Sequence, residues 1–151
     1  MRHIITHGAI QTKDLASRFA RRLLKSKPAE KALVVGLIGE LGGGKTVFAK
    51  GFAKSLGIGK IITSPTFVLE KNYELPGKKH LRLIHIDAYR IENPEELIGL
   101  GFKNLIRDPK NIVLVEWADK VSQILPKDCV RIKFEHAGKN KRKITIKTFD
   151  S

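Results

Sequence analysis

The stretch GELGGGKTV, which runs from Gly39 to Val47, decides the fold that this sequence predicts. A glycine, four further residues and then Gly44-Lys45-Thr46 match the phosphate-loop pattern at every specified position. The apolar run ALVVGLI before it has the length of a buried strand, and KTVFAKGFAKSLG after it reads as a helix that ends at glycine. Strand, loop and helix therefore follow in the order that a phosphate loop requires.

The glycines of this stretch suit it to bind a polyphosphate. Because glycine has no Cβ, consecutive backbone N–H groups can point inward at an anion, and the helix that follows adds the positive end of its dipole. We expect Lys45 to bridge the β and γ phosphates of a nucleotide and the Thr46 hydroxyl to ligate Mg²⁺. The residues predicted to bind the nucleotide are Gly39, Gly42, Gly43, Gly44, Lys45 and Thr46.

Two acidic residues are candidates to complete this site. A nucleotide-binding loop needs an acid to hold the metal or its water, commonly at the carboxyl end of a neighbouring apolar strand. Asp87 ends the run LRLIHID and Glu116 ends the run NIVLVE. We predict both as metal ligands and catalytic acids at the sheet edge where the phosphates lie. The alternative for each is a helix cap or a plain surface charge.

Two further side chains have open roles. Thr66 lies in SPTF, between the loop's helix and the next strands, where related folds carry a segment that senses the γ phosphate. We predict it as a catalytic switch residue, with an ordinary Ser-Pro turn as the alternative. His85 alternates with Ile86 along one strand, so it is either a buried structural histidine or a base.

The remaining patterns extend this unit into one domain, residues 1–151. Apolar residues recur at helical spacing over 12–26, which predicts an amphipathic surface helix. FVLEKNYE and LRLIHIDAY flank a turn, as do CVRIKFEH and RKITIKTF, so both pairs are predicted as antiparallel strands. NIVLVEW reads as a second buried strand, and a short helix capped by Asn93 is predicted over 92–102. The predicted fold is a single-domain α/β phosphate-loop sandwich with a mixed, largely parallel sheet and antiparallel edge strands.

The composition is strongly basic. Lysine and arginine number 29 against 15 acids, a formal charge of +14, so we expect attraction to polyanions, and RNA is one candidate partner. The basic residues are spread from Arg18 to Lys147, as on solvated faces, so solubility explains them equally well. Neither a membrane-spanning run nor the apolar core of a secretion signal is present, which predicts a cytoplasmic protein without membrane contact. The single cysteine, Cys129, is predicted as a buried thiol.

Four separated motifs resemble one known family. GELGGGKT, SPTF, HIDAYR followed by PEEL, and LVEWAD occur in the order and spacing of the TsaE family, also called YjeE. The resemblance covers nearly the whole chain and implies an ATPase required for threonylcarbamoyladenosine modification of tRNA. The chain also lacks the Asn-Lys-x-Asp element with which GTPases usually read guanine, which favours ATP.

The resemblance also implies partners and residue roles. The family member binds the proteins TsaD and TsaB, hydrolyses ATP slowly when alone and resets that complex between turnovers. Carried over, Thr46 and Glu116 hold Mg²⁺, Asp87 supports the metal or its water, Thr66 is the switch residue and Trp117 lies beside the nucleotide or a partner. Thr12 and Arg142 are candidate adenine contacts.

The loop departs from the family pattern at three positions. Glu40, Gly43 and Val47 stand where the family often has aspartate, alanine and threonine. The first two leave the backbone nest intact, and the expected metal ligand Thr46 remains. Two other classes stay open: a small-molecule kinase, which shares the loop and the size, and a nucleic-acid-binding module driven by the basic charge.

Overall fold

The computed structural model describes residues 1–27, 30–42, 44–58, 70–75 and 81–148. Seven strands within these ranges form one sheet. They are β1 (Arg2–His7), β2 (Leu33–Gly39), β3 (Glu70–Glu74), β4 (Arg82–Asp87), β5 (Asn111–Glu116), β6 (Val130–His136) and β7 (Lys141–Lys147). The helices are α1 (Ala9–Lys25), α2 (Lys45–Ser55), α3 (Glu95–Gly99), α4 (Phe102–Arg107) and a short 3-10 helix, Ala118–Val121.

The strand order in the sheet is β1-β7-β6-β2-β5-β4-β3. The four central strands, from β6 to β4, are parallel, whereas β1, β7 and β3 pair antiparallel at the two edges. The prediction of a mixed α/β sheet with antiparallel edges is therefore confirmed. Every residue of β5 is buried, which is why its sequence is a continuous apolar run rather than an alternating one.

Two helical layers cover the central sheet. Leu33, Val35 and Leu37 of β2 point into a core shared with α1 and α2, and Val34 points into a second core with α3, α4 and the 3-10 helix. Successive strand residues face opposite sides of a sheet, so both cores follow from the strand period. The first core contains a ring cluster in which Phe48 lies edge-on to Phe134, with centroids 5.4 Å apart.

The close contact between α1 and α2 fixes the helix that follows the loop. A Cβ placed on Gly51 would lie 2.6 Å from the Lys13 carbonyl oxygen, so only glycine lets the two helices approach this closely. The Ser17 hydroxyl donates a hydrogen bond to the Gly51 carbonyl at 3.0 Å. The middle of α2 is thus held against α1.

Several boundaries differ from the sequence prediction. Strand β1 was not predicted, because only Ile4 and Thr6 of RHIITH face the core, and the exposed Ile5 breaks the alternation of apolar and polar residues. Helix α1 begins at Ala9 instead of residue 12. The single helix predicted over 92–102 is wrong in extent: Gly101 takes a φ of 88°, so α3 ends and α4 begins there.

Other predictions are confirmed. Asn93 accepts a hydrogen bond from the Glu95 N–H at 3.1 Å, as its predicted capping role requires. Cys129 is fully buried. The β3–β4 and β6–β7 pairs are antiparallel, although most of the turn LPGKK, the start of the predicted strand FVLEKNYE and the whole of SPTF lie outside the described residues. None of the helices in the described ranges has the length and apolarity needed to cross a membrane.

Candidate functional site

The loop between β2 and α2 depends on glycine backbone geometry. Gly39, Gly42 and Gly44 take φ values of 153°, 72° and 103°, which side chains other than glycine's rarely adopt. A Cβ on Gly39 would also lie 2.6 Å from the Phe134 carbonyl oxygen. Sequence and backbone therefore agree at these three positions. Gly43 lies outside the described residues, and its role stays a prediction.

Helix α2 begins at Lys45 without competing acidic groups. Its first turn contains no acidic residue, and no side chain caps its first N–H groups. A helix start of this kind presents unsatisfied N–H donors and the positive end of the helix dipole. Because the glycine loop leads directly into it, this end of α2 is suited to bind an anion.

The Lys45 side chain folds back onto its own loop. Its ammonium donates to the carbonyl oxygens of Gly39 and Glu40 and lies 4.1 Å from the centroid of the Trp117 ring. Burial lowers the pKa of Lys45, and the charges of Glu116, Asp119, Asp87 and Glu40 oppose that shift. A phosphate at the loop would replace the carbonyls as the partner of this ammonium.

Glu116 is the centre of a buried hydrogen-bond network. The residue is 1% exposed, and its Oε1 accepts a hydrogen bond from the Thr46 hydroxyl at 3.1 Å. Its Oε2 lies 2.6 Å from Nε2 of the fully buried His85. Because a carboxylate can only accept, the imidazole donates from Nε2. The structure therefore brings the predicted loop threonine and one predicted acid into direct contact.

His85, on the neighbouring strand β4, supports this carboxylate. Among the described residues its Nδ1 has no hydrogen-bond partner, so its visible polar contact is the one to Glu116. Of the two roles that the sequence left open, this arrangement favours the structural one, in which the histidine orients the acid.

Asp87 lies beside Glu116 at the carboxyl ends of β4 and β5. The two residues are register partners across this parallel pair. Oδ1 of Asp87 accepts a hydrogen bond from the Tyr89 N–H at 2.9 Å, which shapes the turn after β4. Since Asp87 also acts on the pKa of Lys45, both predicted acids lie near the loop.

The oxygen atoms at this edge fit a magnesium ion. Neighbouring ligands of an octahedral Mg²⁺ at about 2.0–2.1 Å are about 2.9 Å apart, and Thr46 Oγ1 and Glu116 Oε1 are 3.1 Å apart. The described part of the chain contains no group of three or more His, Cys, Asp or Glu placed to hold a metal. Thr46 and Glu116 would thus hold Mg²⁺ together with phosphate oxygens and water, as is common for this ion.

The aromatic pair of Trp117 and Tyr89 lies beside Lys45, and only Trp117 was predicted from the sequence. Trp117 takes a left-handed φ of 57°, and its ring lies 4.9 Å from that of Tyr89. The Lys120 ammonium lies 5.0 Å above the Tyr89 ring. A left-handed tryptophan costs on the order of 1–3 kcal/mol, and such strain clusters at functional sites. Asp119, from the same segment and the motif LVEWAD, also lies close enough to Lys45 for its negative charge to raise the pKa of that lysine.

Two candidates from distant parts of the chain also lie beside the loop. A Cβ on Gly44 would lie 3.9 Å from side-chain atoms of both Thr12 and Arg142. The Thr12 hydroxyl is fixed by a 2.8 Å hydrogen bond to the Thr6 hydroxyl. Helix α1 and strand β7 thus each place a side chain next to Gly44 of the loop. Thr66 lies outside the described residues, so its predicted role is untested.

A central parallel strand, a glycine loop, a helix that starts at lysine and an acid on the next strand define the phosphate-loop class of α/β proteins. A family model described as "Threonylcarbamoyl adenosine biosynthesis protein TsaE" matches residues 6–144. The chain belongs to this TsaE family, as the four motifs predicted.

Individual relatives agree with this assignment. The tRNA threonylcarbamoyladenosine biosynthesis protein TsaE of Bacillus subtilis is 40% identical over 80% of this chain and 71% of the relative. The protein with the same description from Rickettsia typhi is 35% identical over 91% of this chain and 88% of the relative. The crystal structure of Bacillus subtilis YdiB superposes with a TM-score of 0.71 and 31% identity, covering 97% of this chain and 84% of that one.

Proposed function

We propose that this protein is an accessory ATPase of tRNA threonylcarbamoyladenosine biosynthesis, which binds ATP and Mg²⁺ at the loop between β2 and α2. The observation that carries the proposal is the convergence of Lys45, Thr46 and Glu116 at the carboxyl end of the parallel strands. Phosphoryl chemistry needs a cation, a metal ligand and an acid at one place. The family assignment supplies the pathway.

Each group has a distinct task in this proposal. Backbone N–H groups between Gly39 and Lys45 bind the phosphates, and Lys45 exchanges its loop carbonyls for phosphate oxygens. Thr46 and Glu116 hold Mg²⁺, which neutralises the charge on the phosphates when bound. Asp87 supports the metal or its water, and His85 keeps the Glu116 carboxylate in place. Thr66 is proposed as the switch residue.

Hydrolysis is proposed to be slow in the isolated protein and faster with TsaD and TsaB. An arginine finger supplied by a partner typically raises the rate of such hydrolysis by about 10³–10⁵. A partner complex that completes the site would link ATP turnover to the modification cycle. Tyr89 is 45% exposed and packs on Trp117, whose ring lies against the Lys45 ammonium, so we propose that a partner contacts the site through Tyr89.

The decisive experiment measures ATP hydrolysis by the protein alone, with tRNA, and with purified TsaB and TsaD. We expect a low basal rate that the TsaB–TsaD pair raises, and loss of support for tRNA modification in Lys45→Ala, Thr46→Ala and Glu116→Ala variants that remain folded. Stoichiometric transfer of phosphate to a small-molecule acceptor would instead establish a kinase. An active Glu116→Ala variant would remove that residue from the site.

A further inference from the structure

One part of the sheet presents a basic face that the described helices do not cover. Strands β1, β7 and β6 form the antiparallel end of the sheet, and their alternate residues turn to opposite sides. Ile4, Ile144 and Phe134 are register partners that face the core under α1 and α2. The residues between them point to the other side, which we call the open face.

The open face is dominated by positive charge. Its cations are Arg131, Lys133, Lys141, Lys143 and Lys147, and its acid is Glu135. His3, Ile5 and His7 of β1 extend it to the sheet edge, where the His3 ring forms a hydrogen bond with the Thr145 hydroxyl at 3.0 Å and Ile5 is exposed beside Lys143. Glu135 forms an ion pair with Lys133 at 3.2 Å. Five cations against one acid leave four excess positive charges on the two adjacent strands β6 and β7, more than the mixed charge of an ordinary solvated surface requires.

The charges lie in rows that the strand register sets. Lys133 is opposite Thr145, which is opposite His3, and Glu135 is opposite Lys143. Neighbouring strands are about 4.8 Å apart and alternate residues along a strand about 6.7 Å apart. The lysines are therefore spread along two neighbouring strands, and Lys133, Lys141 and Lys143 are all exposed. An extended array of this kind matches an extended polyanion rather than a single small anion.

We infer that the open face binds the phosphate backbone of structured RNA, with tRNA as its occupant. The open face contains no aromatic ring other than imidazole, so it lacks the platforms on which proteins stack single-stranded bases. Its contacts would therefore go to phosphates and depend little on sequence. The family's pathway modifies tRNA, so tRNA is the polyanion on which this pathway acts.

This surface is separate from the phosphate loop. Arg142, the residue between Lys141 and Lys143, faces the opposite side of β7 and lies beside Gly44. Nucleotide binding and RNA binding therefore use different sides of the same strand. Loss of one does not imply loss of the other, so the two proposals fail independently.

The test compares two charge-matched triple variants. The face variant is Lys133→Gln, Lys141→Gln and Lys143→Gln, and the control is Lys13→Gln, Arg21→Gln and Lys25→Gln on the exposed side of α1. Each removes three positive charges. Fluorescence anisotropy with unmodified tRNA is measured from 50 to 200 mM salt, conditions under which phosphate contacts dominate the salt dependence. Thermal unfolding and ATP binding are measured for both variants.

We expect wild-type binding to weaken steeply with salt, and the face variant to lose roughly two to three units of the slope of log K against log salt, about one for each phosphate contact. The control should keep its slope, and both variants should keep ATP binding. Equal losses in both variants would show that net charge alone attracts RNA and would overturn the proposal. The absence of tRNA binding by the wild type at 50 mM salt would also overturn it. A face variant that keeps tRNA binding but loses binding to a TsaB–TsaD complex would overturn it as well.

Discussion

Replacement of Gly51 by alanine is expected to destabilise the protein, although the same change usually stabilises a helix. Gly51 lies inside α2, where alanine is ordinarily favoured over glycine by about 0.5–1 kcal/mol. Here the new Cβ would lie 2.6 Å from the carbonyl oxygen and 2.8 Å from the Cα of Lys13, and 3.1 Å from the Cβ of Ala16. Two of these atoms belong to the backbone of α1, which cannot rotate away.

The size of the effect follows from the required displacement. Non-bonded carbon atoms prefer separations of about 3.5–4.0 Å, so α1 and α2 must separate by on the order of 1 Å. Overpacking of a tight contact costs typically about 1–3 kcal/mol. After the helix-propensity gain, we expect a net loss of about 1–2 kcal/mol in the free energy of unfolding. For a chain of this length that lowers the Tm by about 2–8 °C.

Thermal unfolding followed by circular dichroism measures this effect, and Gly99→Ala is the matched control. A Cβ on Gly99, at the end of α3, meets nothing within 4 Å, so its Tm should stay unchanged or rise. The reasoning is refuted if Gly51→Ala raises the Tm as much as Gly99→Ala does, because the helices would then adapt without cost. The result matters for the site, since the contact at Gly51 holds the helix that carries Lys45 and Thr46.

Three further predictions concern the site and the core. Trp117 is the single tryptophan, and the Lys45 ammonium lies over its ring. ATP with Mg²⁺ should therefore change the tryptophan fluorescence emission of the wild type but not that of Lys45→Met. An unchanged wild-type emission at ATP concentrations that equilibrium dialysis shows to be saturating would contradict the proposal that Lys45 moves from its loop carbonyls to the phosphates. Glu116→Gln keeps hydrogen-bonding atoms for Thr46 and His85 but removes the negative charge. We expect this variant to fold and to bind ATP with Mg²⁺ more weakly than the wild type, by about 1.5–3 kcal/mol as measured by calorimetry. An affinity equal to that of the wild type would exclude a charged metal ligand at this position. Burial raises the pKa of the Cys129 thiol from 9.0 to about 11, so the thiol ionises at lower pH in the unfolded chain than in the folded one, and its stabilising contribution is present below pH 9 and lost between pH 9 and 11. The free energy of unfolding, measured with denaturant, should therefore fall by about 2–3 kcal/mol more over that window in the wild type than in Cys129→Ala. Parallel curves for the two proteins would show that the thiol does not titrate this way.

The sequence by itself determined the parts of the site that lie close together along the chain. The run from β2 through the loop into α2 is local: glycines permit the positive φ values, and the apolar run and the helix pattern surround them. The positions of Asp87 and Glu116 followed as well, because each ends a continuous apolar run and the carboxyl ends of parallel strands meet at one edge. The motifs were sufficient for the family assignment.

The tertiary structure alone decided which side chains touch. The bond between His85 and Glu116 and the approach of Thr12 and Arg142 to Gly44 join segments far apart in sequence. Strand β1 carries too few apolar residues to be recognised, and it is fixed by its pairing with β7.

The same holds for the basic hairpin. In the letters GKNKRK, Arg142 and Lys143 look alike, but the register turns one toward the loop and the other toward the open face. The composition gives the number of charges. The pairing of strands determines on which side of the sheet each charge lies, because neighbouring residues of a strand point in opposite directions.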